Sequence, residues 1–146
     1  MENHQIAIDI FRRIQEEFPE YKMELDDIEH PYVECSLQIP IQHGLRVPFC
    51  LSLQNSDELH LQVGEHLLIE WFPCEYPEKV DAYYNAVHGL LTDDYRILVF
   101  RRWGRTEKSH LQIHQNGNWK TIGRYWRYFY VPFLPFGFQS EVLTIK

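Results

Sequence analysis

The stretch from Val33 to Trp71, VECSLQIPIQHGLRVPFCLSLQNSDELHLQVGEHLLIEW, decides the fold. Apolar residues occupy its odd positions in four successive runs. Because the side chains of a β-strand alternate between the two faces of a sheet, each run indicates a strand with one buried face. The pattern therefore predicts four strands, at residues 33–39, 45–53, 59–63 and 67–71.

The connections between these runs fit an antiparallel meander. PIQHG and QNSDE supply five residues each and GEH supplies three, all with turn-forming residues. Opposed residues of an antiparallel pair share a face, so a loop with an odd number of residues keeps the apolar positions opposite one another. The same parity places Cys35 and Cys50 on opposite faces. It also turns Glu70 away from the core, whereas a two-residue turn at Gly64-Glu65 would bury it, and we favour the first arrangement.

Two amphipathic helices flank this meander. Apolar residues recur at helical spacing between Gln5 and Phe18, and a second helix is predicted from Pro77 to about Leu91. Strands follow at residues 95–103, 108–115 and 119–130.

Asn116-Gly117, between the last two predicted strands, specifies a two-residue type I′ turn. The turn opposes His114 to Trp119 and, in an unbroken register, Leu111 to Ile122. One face of this hairpin is then predicted to carry Leu111, Ile113, Ile122 and Trp126. The other face is predicted to carry His110, Gln112, His114, Trp119, Thr121 and Tyr125.

The predicted fold class is therefore α+β, in one domain over residues 1–146. Its order is helix, four-stranded meander, helix and three strands, most economically a curved antiparallel sheet with the helices packed on its apolar face. The last segment, 131–146, begins VPFLPFGF, whose two prolines and glycine predict an extended proline and aromatic strap over the core.

The amino-acid composition restricts the kind of protein that this chain can be. Of the 146 residues, 45% are hydrophobic and 24% are charged, as in an ordinary globular domain. No apolar run reaches the ~20 residues of a membrane helix, and MENHQIAIDIFRR at the N-terminus lacks the pattern of a secretory signal. Three cysteines, an odd number without metal-ligand spacing, favour free thiols. We expect a cytoplasmic protein that makes no membrane contact and needs no cofactor.

Charge is distributed unevenly along the chain. Residues 1–94 carry 5 Lys/Arg against 19 Asp/Glu, a net −14, and residues 95–146 carry 9 against 2, a net +7, which together give the overall −7. Either the two halves pack together and neutralise each other, or the basic half forms an anion-binding face. The overall acidity argues against nonspecific nucleic-acid binding.

Catalytic and metal-ligating candidates are few. Cys74 precedes the second helix, whose dipole would lower the thiol pKa, but no nucleophile motif surrounds it, and a buried structural thiol is the alternative. His110 and His114 could share a metal ion on a helix, but on a strand they lie about 13 Å apart at ~3.3 Å per residue. Neither pattern is specific, and we favour a protein without catalytic activity.

The binding candidates lie in the basic half. RRWGR at 101–105 and RYWRYFY at 124–130 combine the arginines and rings that anchor protein interfaces and bind anions. A purely structural role, with alternate rings in the core, is the competing interpretation. The predicted binding residues are Trp119, Tyr125, His114, Arg101, Arg102, Arg105, Arg124 and Arg127.

We therefore expect a small protein-binding module, of the chaperone or immunity type, whose partner is another protein or a second copy of the chain. One alternative is a ligand-binding protein or hydrolase with a pocket between sheet and helices, using Cys74 or the histidines. The other is anion or nucleic-acid binding through the arginines of the basic half.

Overall fold

A computed structural model of the chain describes residues 2–27, 30–127 and 137–146. It contains two α-helices and two antiparallel sheets, which confirms the α+β class. Neither helix is long and apolar enough to cross a membrane, within the described residues. The elements are α1 (Glu2–Glu17), β1 (Glu24–Asp26), β2 (Val33–Ile39), β3 (Phe49–Gln54), β4 (Glu58–Val63), β5 (Leu67–Trp71), α2 (Pro77–Leu91), β6 (Tyr95–Arg102), β7 (Arg105–Gln115), β8 (Asn118–Trp126) and β9 (Gln139–Val142).

The first five strands form the N-terminal sheet, an antiparallel meander in the order β1-β2-β3-β4-β5. Odd positions oppose odd positions as predicted, for example Leu37 and Leu51. Val63 pairs with Leu67, which confirms the three-residue turn, and Glu70 is exposed. The short edge strand β1 is an addition to the four predicted strands.

The connection between β2 and β3 is longer than predicted. Ile39 pairs with Phe49, so the expected strand start at Leu45 is wrong. Pro48 has no N–H group for the ladder, and its carbonyl accepts a hydrogen bond from Gly64 N at 2.9 Å instead. The longer loop, residues 40–48, still has an odd number of residues, so odd positions of β2 remain opposite odd positions of β3.

The remaining strands form the C-terminal sheet, in the order β8-β7-β6-β9. The strands are therefore divided between two antiparallel sheets where one curved sheet was expected, since no strand pairing among the described residues joins the two. β5 instead packs its side chains against β7 and β8, and Ile69 lies directly over Gly123. The two sheets are thus layers that meet through side chains.

The two helices and the apolar side of the N-terminal sheet share one core. α1 contacts β2 and β3, whereas α2 contacts β4, β5 and β6. Tyr83 of α2 is fully buried, and its hydroxyl donates to the carbonyl of His60 at 2.9 Å. Gly89 has no side chain, so the backbone of α2 can lie directly against the ring of Tyr95.

The prediction of a C-terminal strap over residues 131–146 differs in part from the structure. Residues 128–136, which include the end of the last predicted strand and VPFLPF of the strap, lie outside the described residues. Beyond them, β9 pairs antiparallel with β6, for example through Val142 and Leu98. Leu143 and Ile145 are buried in the core. This part of the predicted strap is therefore a strand followed by core residues.

The hairpin of β7 and β8 confirms the predicted turn and corrects the register beyond it. Asn116 and Gly117 have φ of 51° and 80°, as a type I′ turn requires. Leu111 pairs with Gly123 and not with Ile122, which becomes the extra residue of a β-bulge. The bulge places the glycine, which has no side chain, beneath Ile69. Because of the extra residue, every later side chain of β8 lies on the face of the sheet opposite to the one predicted.

Candidate functional site

The C-terminal sheet has one side turned away from the core, and we call it the outer face. Its paired positions are Arg96, Leu98, Phe100, Lys108, His110, Gln112, His114, Trp119, Thr121, Arg124, Trp126, Ser140 and Val142. Within the described chain, none of its rings or aliphatic side chains joins the hydrophobic core. Trp126 is 39% exposed and Val142 is 47% exposed. The outer face is thus apolar and aromatic surface that the described fold does not use for packing.

Cations hold the rings of the outer face in place. The guanidinium carbon of Arg96 lies 4.1 Å from the centre of the Trp119 ring. Lys108 Nζ lies 4.6 Å from the centre of the Phe100 ring and 4.8 Å from that of Trp126. Each such contact contributes about 0.5–1 kcal/mol at an exposed site. These contacts restrain the rings on the surface of the described fold.

The outer face is also positively charged. Arg96, Lys108 and Arg124 occupy its paired positions, which carry no carboxylate in the described strands. Glu107, at one end of the sheet, is buried and lies 3.6 Å from Arg102 in an ion pair. The described surface therefore attracts anionic groups.

The two histidines proposed as metal ligands contact different rings. His110 packs edge-on against Phe100 at 4.9 Å between ring centres, and His114 does so against Trp119 at 5.1 Å. Burial, followed by the charge of Arg124, lowers the pKa of His110. No group of three or more His, Cys, Asp or Glu in the described ranges is placed to hold a metal ion.

Trp119 and Tyr125 do not belong to one surface, which corrects the predicted hairpin face. Trp119 pairs with His114 on the outer face. After the bulge, Tyr125 pairs with Ser109 and packs against the core. The same exchange moves Trp126 from the predicted core side to the outer face.

The five predicted arginines are divided among three environments. Arg124 is exposed on the outer face. Arg102 is only 3% exposed and is paired with Glu107. Arg101, Arg105 and Arg127 line a cleft of ≈ 530 Å³, which we call the arginine cleft; the other described residues that line it are Glu65, His66, Gly104 and Thr106.

The arginine cleft lies where the β4–β5 turn meets the β6–β7 hairpin. Arg127 Nη1 is 3.2 Å from Glu65 Oε2. His66 Nδ1 and Thr106 Oγ1 are 2.8 Å apart and hydrogen-bonded, so the two turns are tied together. Burial lowers the pKa of His66, and the charge of Arg101 is the next largest cause. The charge of Arg127 acts in the same direction, whereas those of Glu65 and Glu141 raise the pKa of His66.

The β6–β7 turn was not foreseen from the sequence. Trp103 and Gly104 form it with φ of 52° and 74°, and Trp103 is 82% exposed. The predicted start of β7 at Lys108 is wrong, because the pairing continues to Arg102 and Arg105. A bulky residue in the left-handed region is strained, so Trp-Gly is not a recognised turn signal.

Cys74 lies in the core and not in a cleft. It is fully buried, and its backbone N–H donates to the carbonyl of Asp57 at 2.9 Å. Burial raises the pKa of the thiol, so the lowered value expected from the helix dipole is wrong. Cys74, Cys35 and Cys50 are all free thiols.

Several residues of the outer face and of the arginine cleft could not be identified from the sequence alone. The outer face includes Arg96, Phe100 and Lys108, which alternate along their strands with more deeply buried residues. This alternation could have assigned them to one side of the sheet. His66 and Thr106 of the arginine cleft are far apart in sequence, and no local pattern links them. In comparisons with known proteins, no family model matches the chain, and no curated sequence or solved structure is detectably similar to it.

Proposed function

We propose that the protein is a binding module without catalytic activity that holds an acidic protein surface on its outer face. The observation that carries the proposal is the composition of that face. Trp119, Trp126 and Phe100 stand beside Arg96 and Lys108, outside the described hydrophobic core. Tryptophan and arginine are the residues that most often contribute strongly to protein interfaces.

The charge of the outer face restricts the chemistry of the partner. A surface that carries three cations at its paired positions favours carboxylates and repels basic proteins. Electrostatic attraction of this kind raises the association rate, and salt weakens it. We therefore expect a partner with acidic residues around an apolar patch, and binding that weakens as ionic strength rises.

A second copy of the chain is the other candidate partner. Residues 1–94 carry a net charge of −14, so an acidic surface of one copy could face the basic outer face of another. A chaperone or immunity type of role fits either partner. The free thiols of Cys35, Cys50 and Cys74 support a cytoplasmic location.

Differential capture from the source cell tests the proposal. The wild-type chain is compared with Trp119→Ala and Arg124→Glu on the outer face. The matched controls are Trp103→Ala, which removes an exposed tryptophan elsewhere, and Arg12→Glu, which reverses an exposed charge on α1. Native mass spectrometry of each captured sample identifies a second polypeptide, a homodimer, a nucleic acid or a small ligand.

We expect a protein, or a second copy, that the wild type and both controls retain and that both outer-face variants lose. Equal retention by the outer-face variants would overturn the proposal. A bound nucleic acid lost in the same variants would assign the face to the alternative class of partner.

A further inference from the structure

The arginine cleft brings together three cations from different elements. Arg101 belongs to β6, Arg105 begins β7, and Arg127 follows β8. Among the lining residues that the structure describes, Glu65 is the carboxylate, and its side chain is 78% exposed to solvent. Glu141, which is paired with Arg101, has a side chain that is 57% exposed. Like charges repel, and a solvated carboxylate offsets that repulsion only weakly. The fold thus holds excess positive charge in one concave place.

The arginines of the cleft differ in how far their side chains are already engaged. The side chain of Arg105 makes no hydrogen bond or ion pair with any part of the chain that the structure describes, although its backbone pairs with Arg102 in the sheet. Arg101 Nε is buried and forms an ion pair with Glu141 Oε1 at 2.6 Å, so Arg105 is the arginine best able to take a ligand. A guanidinium has five N–H donors in a planar fork, and these donors match the oxygens of phosphate.

We propose that the arginine cleft binds a phosphate group, either free or carried by a small organic molecule. Its volume of ≈ 530 Å³ lies within the range of about 300–1,000 Å³ that small-molecule sites occupy, so there is room for more than the phosphate. Gly104 leaves space beside the backbone of the cleft, because no atom of the described chain, apart from its two neighbours in sequence, lies within 4 Å of the place where a Cβ would stand.

His66 provides a local reporter of occupancy. It lines the cleft, and the charges of Arg101 and Arg127 are among the causes of its lowered pKa. A bound phosphate offsets those charges, so it should raise the pKa of His66. This site is separate from the outer face, and it can fail while the proposed protein-binding function stands.

The test is an NMR titration of the full chain with inorganic phosphate and, separately, with O-phosphoserine. Sodium chloride at matched ionic strength gives the control for screening. We expect saturable shifts at Gly104 and His66 with at least one phosphate compound, and a rise in the His66 pKa. Saturation by inorganic phosphate supports a free ligand, and saturation by O-phosphoserine alone supports a carried one.

Three substitutions make the test specific. Arg105→Gln should weaken phosphate binding about tenfold, the cost of one charge-assisted hydrogen bond, and Arg105→Lys should weaken it less. Arg12→Gln, an exposed arginine of α1 outside both the cleft and the outer face, should leave the affinity unchanged. Shifts that match those with chloride, or an equal loss in Arg12→Gln, would overturn the proposal.

Discussion

Ile69 on β5 occupies the space over Gly123 on β8, so closely that a Cβ at position 123 would lie 2.5 Å from Ile69 Cδ1. The contact joins the two sheets through side chains. It also gives a physical reason for the bulge at Ile122, because the predicted register would place a side chain where only glycine fits.

Gly123→Ala should therefore lower the free energy of unfolding by about 1–3 kcal/mol, the usual cost of overpacking a core contact. Chemical denaturation measures the change. Ile69→Val removes Cδ1, after which the nearest neighbour of the new Cβ is Leu111 Cβ at an ordinary 3.6 Å. The double variant Ile69→Val/Gly123→Ala should recover part of the loss, and strictly additive effects would contradict this account.

Gly89→Ala should destabilise the protein although it lies within a helix. Alanine in a helix interior is ordinarily favoured over glycine by about 1 kcal/mol. At position 89 the ring of Tyr95 occupies the space that a Cβ needs, so the packing cost outweighs the propensity gain. Thermal unfolding should show a lower Tm for Gly89→Ala and an unchanged or higher Tm for Asn85→Ala, which is exposed on α2. A raised Tm for Gly89→Ala would show that α2 does not approach Tyr95 in this way.

Trp119 and Tyr125, which the sequence placed on one surface, should differ in their effect on stability. Tyr125 packs against the core, so Tyr125→Ala should cost about 1–3 kcal/mol of the free energy of unfolding. Trp119 contacts Arg96 and His114 on the outer face, so Trp119→Ala should cost about 1 kcal/mol or less. Denaturant unfolding of both variants measures the difference. The reverse order would mean that the bulge at Ile122 is misplaced.

The three thiols should react in the order of their exposure. Cys50 is half-buried, whereas Cys35 and Cys74 are buried. Burial raises the pKa of Cys50 above its usual 9.0 and that of Cys35 to about 12. Because the thiolate is the reactive form, the alkylation rate of Cys50 should keep rising as the pH passes 9.0.

We expect alkylation of one thiol per folded chain, and Cys50→Ser should abolish it. Mass spectrometry of peptides after a timed reaction identifies the site. Rapid alkylation of Cys74 in the folded chain would contradict its burial and favour the hydrolase alternative.

The N-terminal sheet could be predicted from the sequence because its information is local. Apolar residues at every second position from Val33 to Trp71 show which side chains face the core. Loops with an odd number of residues keep those positions opposite one another in neighbouring strands. The turn at Asn116-Gly117 is likewise encoded by two residues. Each of these features depends on neighbours within one hairpin.

The division into two sheets could not be predicted because it depends on distant contacts. The register of β8 is set by Ile69, which lies far from Gly123 in sequence. The arginine cleft depends in the same way on the meeting of Glu65 with Arg127. Composition identified the basic half, but only the register separates Arg124 on the outer face from Arg101 in the cleft.

Hydroxyl-radical footprinting of the captured complex tests the outer face as the binding surface most directly. The chain contains four tryptophans, of which Trp119 and Trp126 lie on the outer face and Trp103 is an exposed internal control. We predict that the partner protects Trp119 and Trp126 from oxidation and leaves Trp103 unchanged. Protection of Trp103 alone, with Trp119 and Trp126 oxidised as in the free chain, would contradict the account.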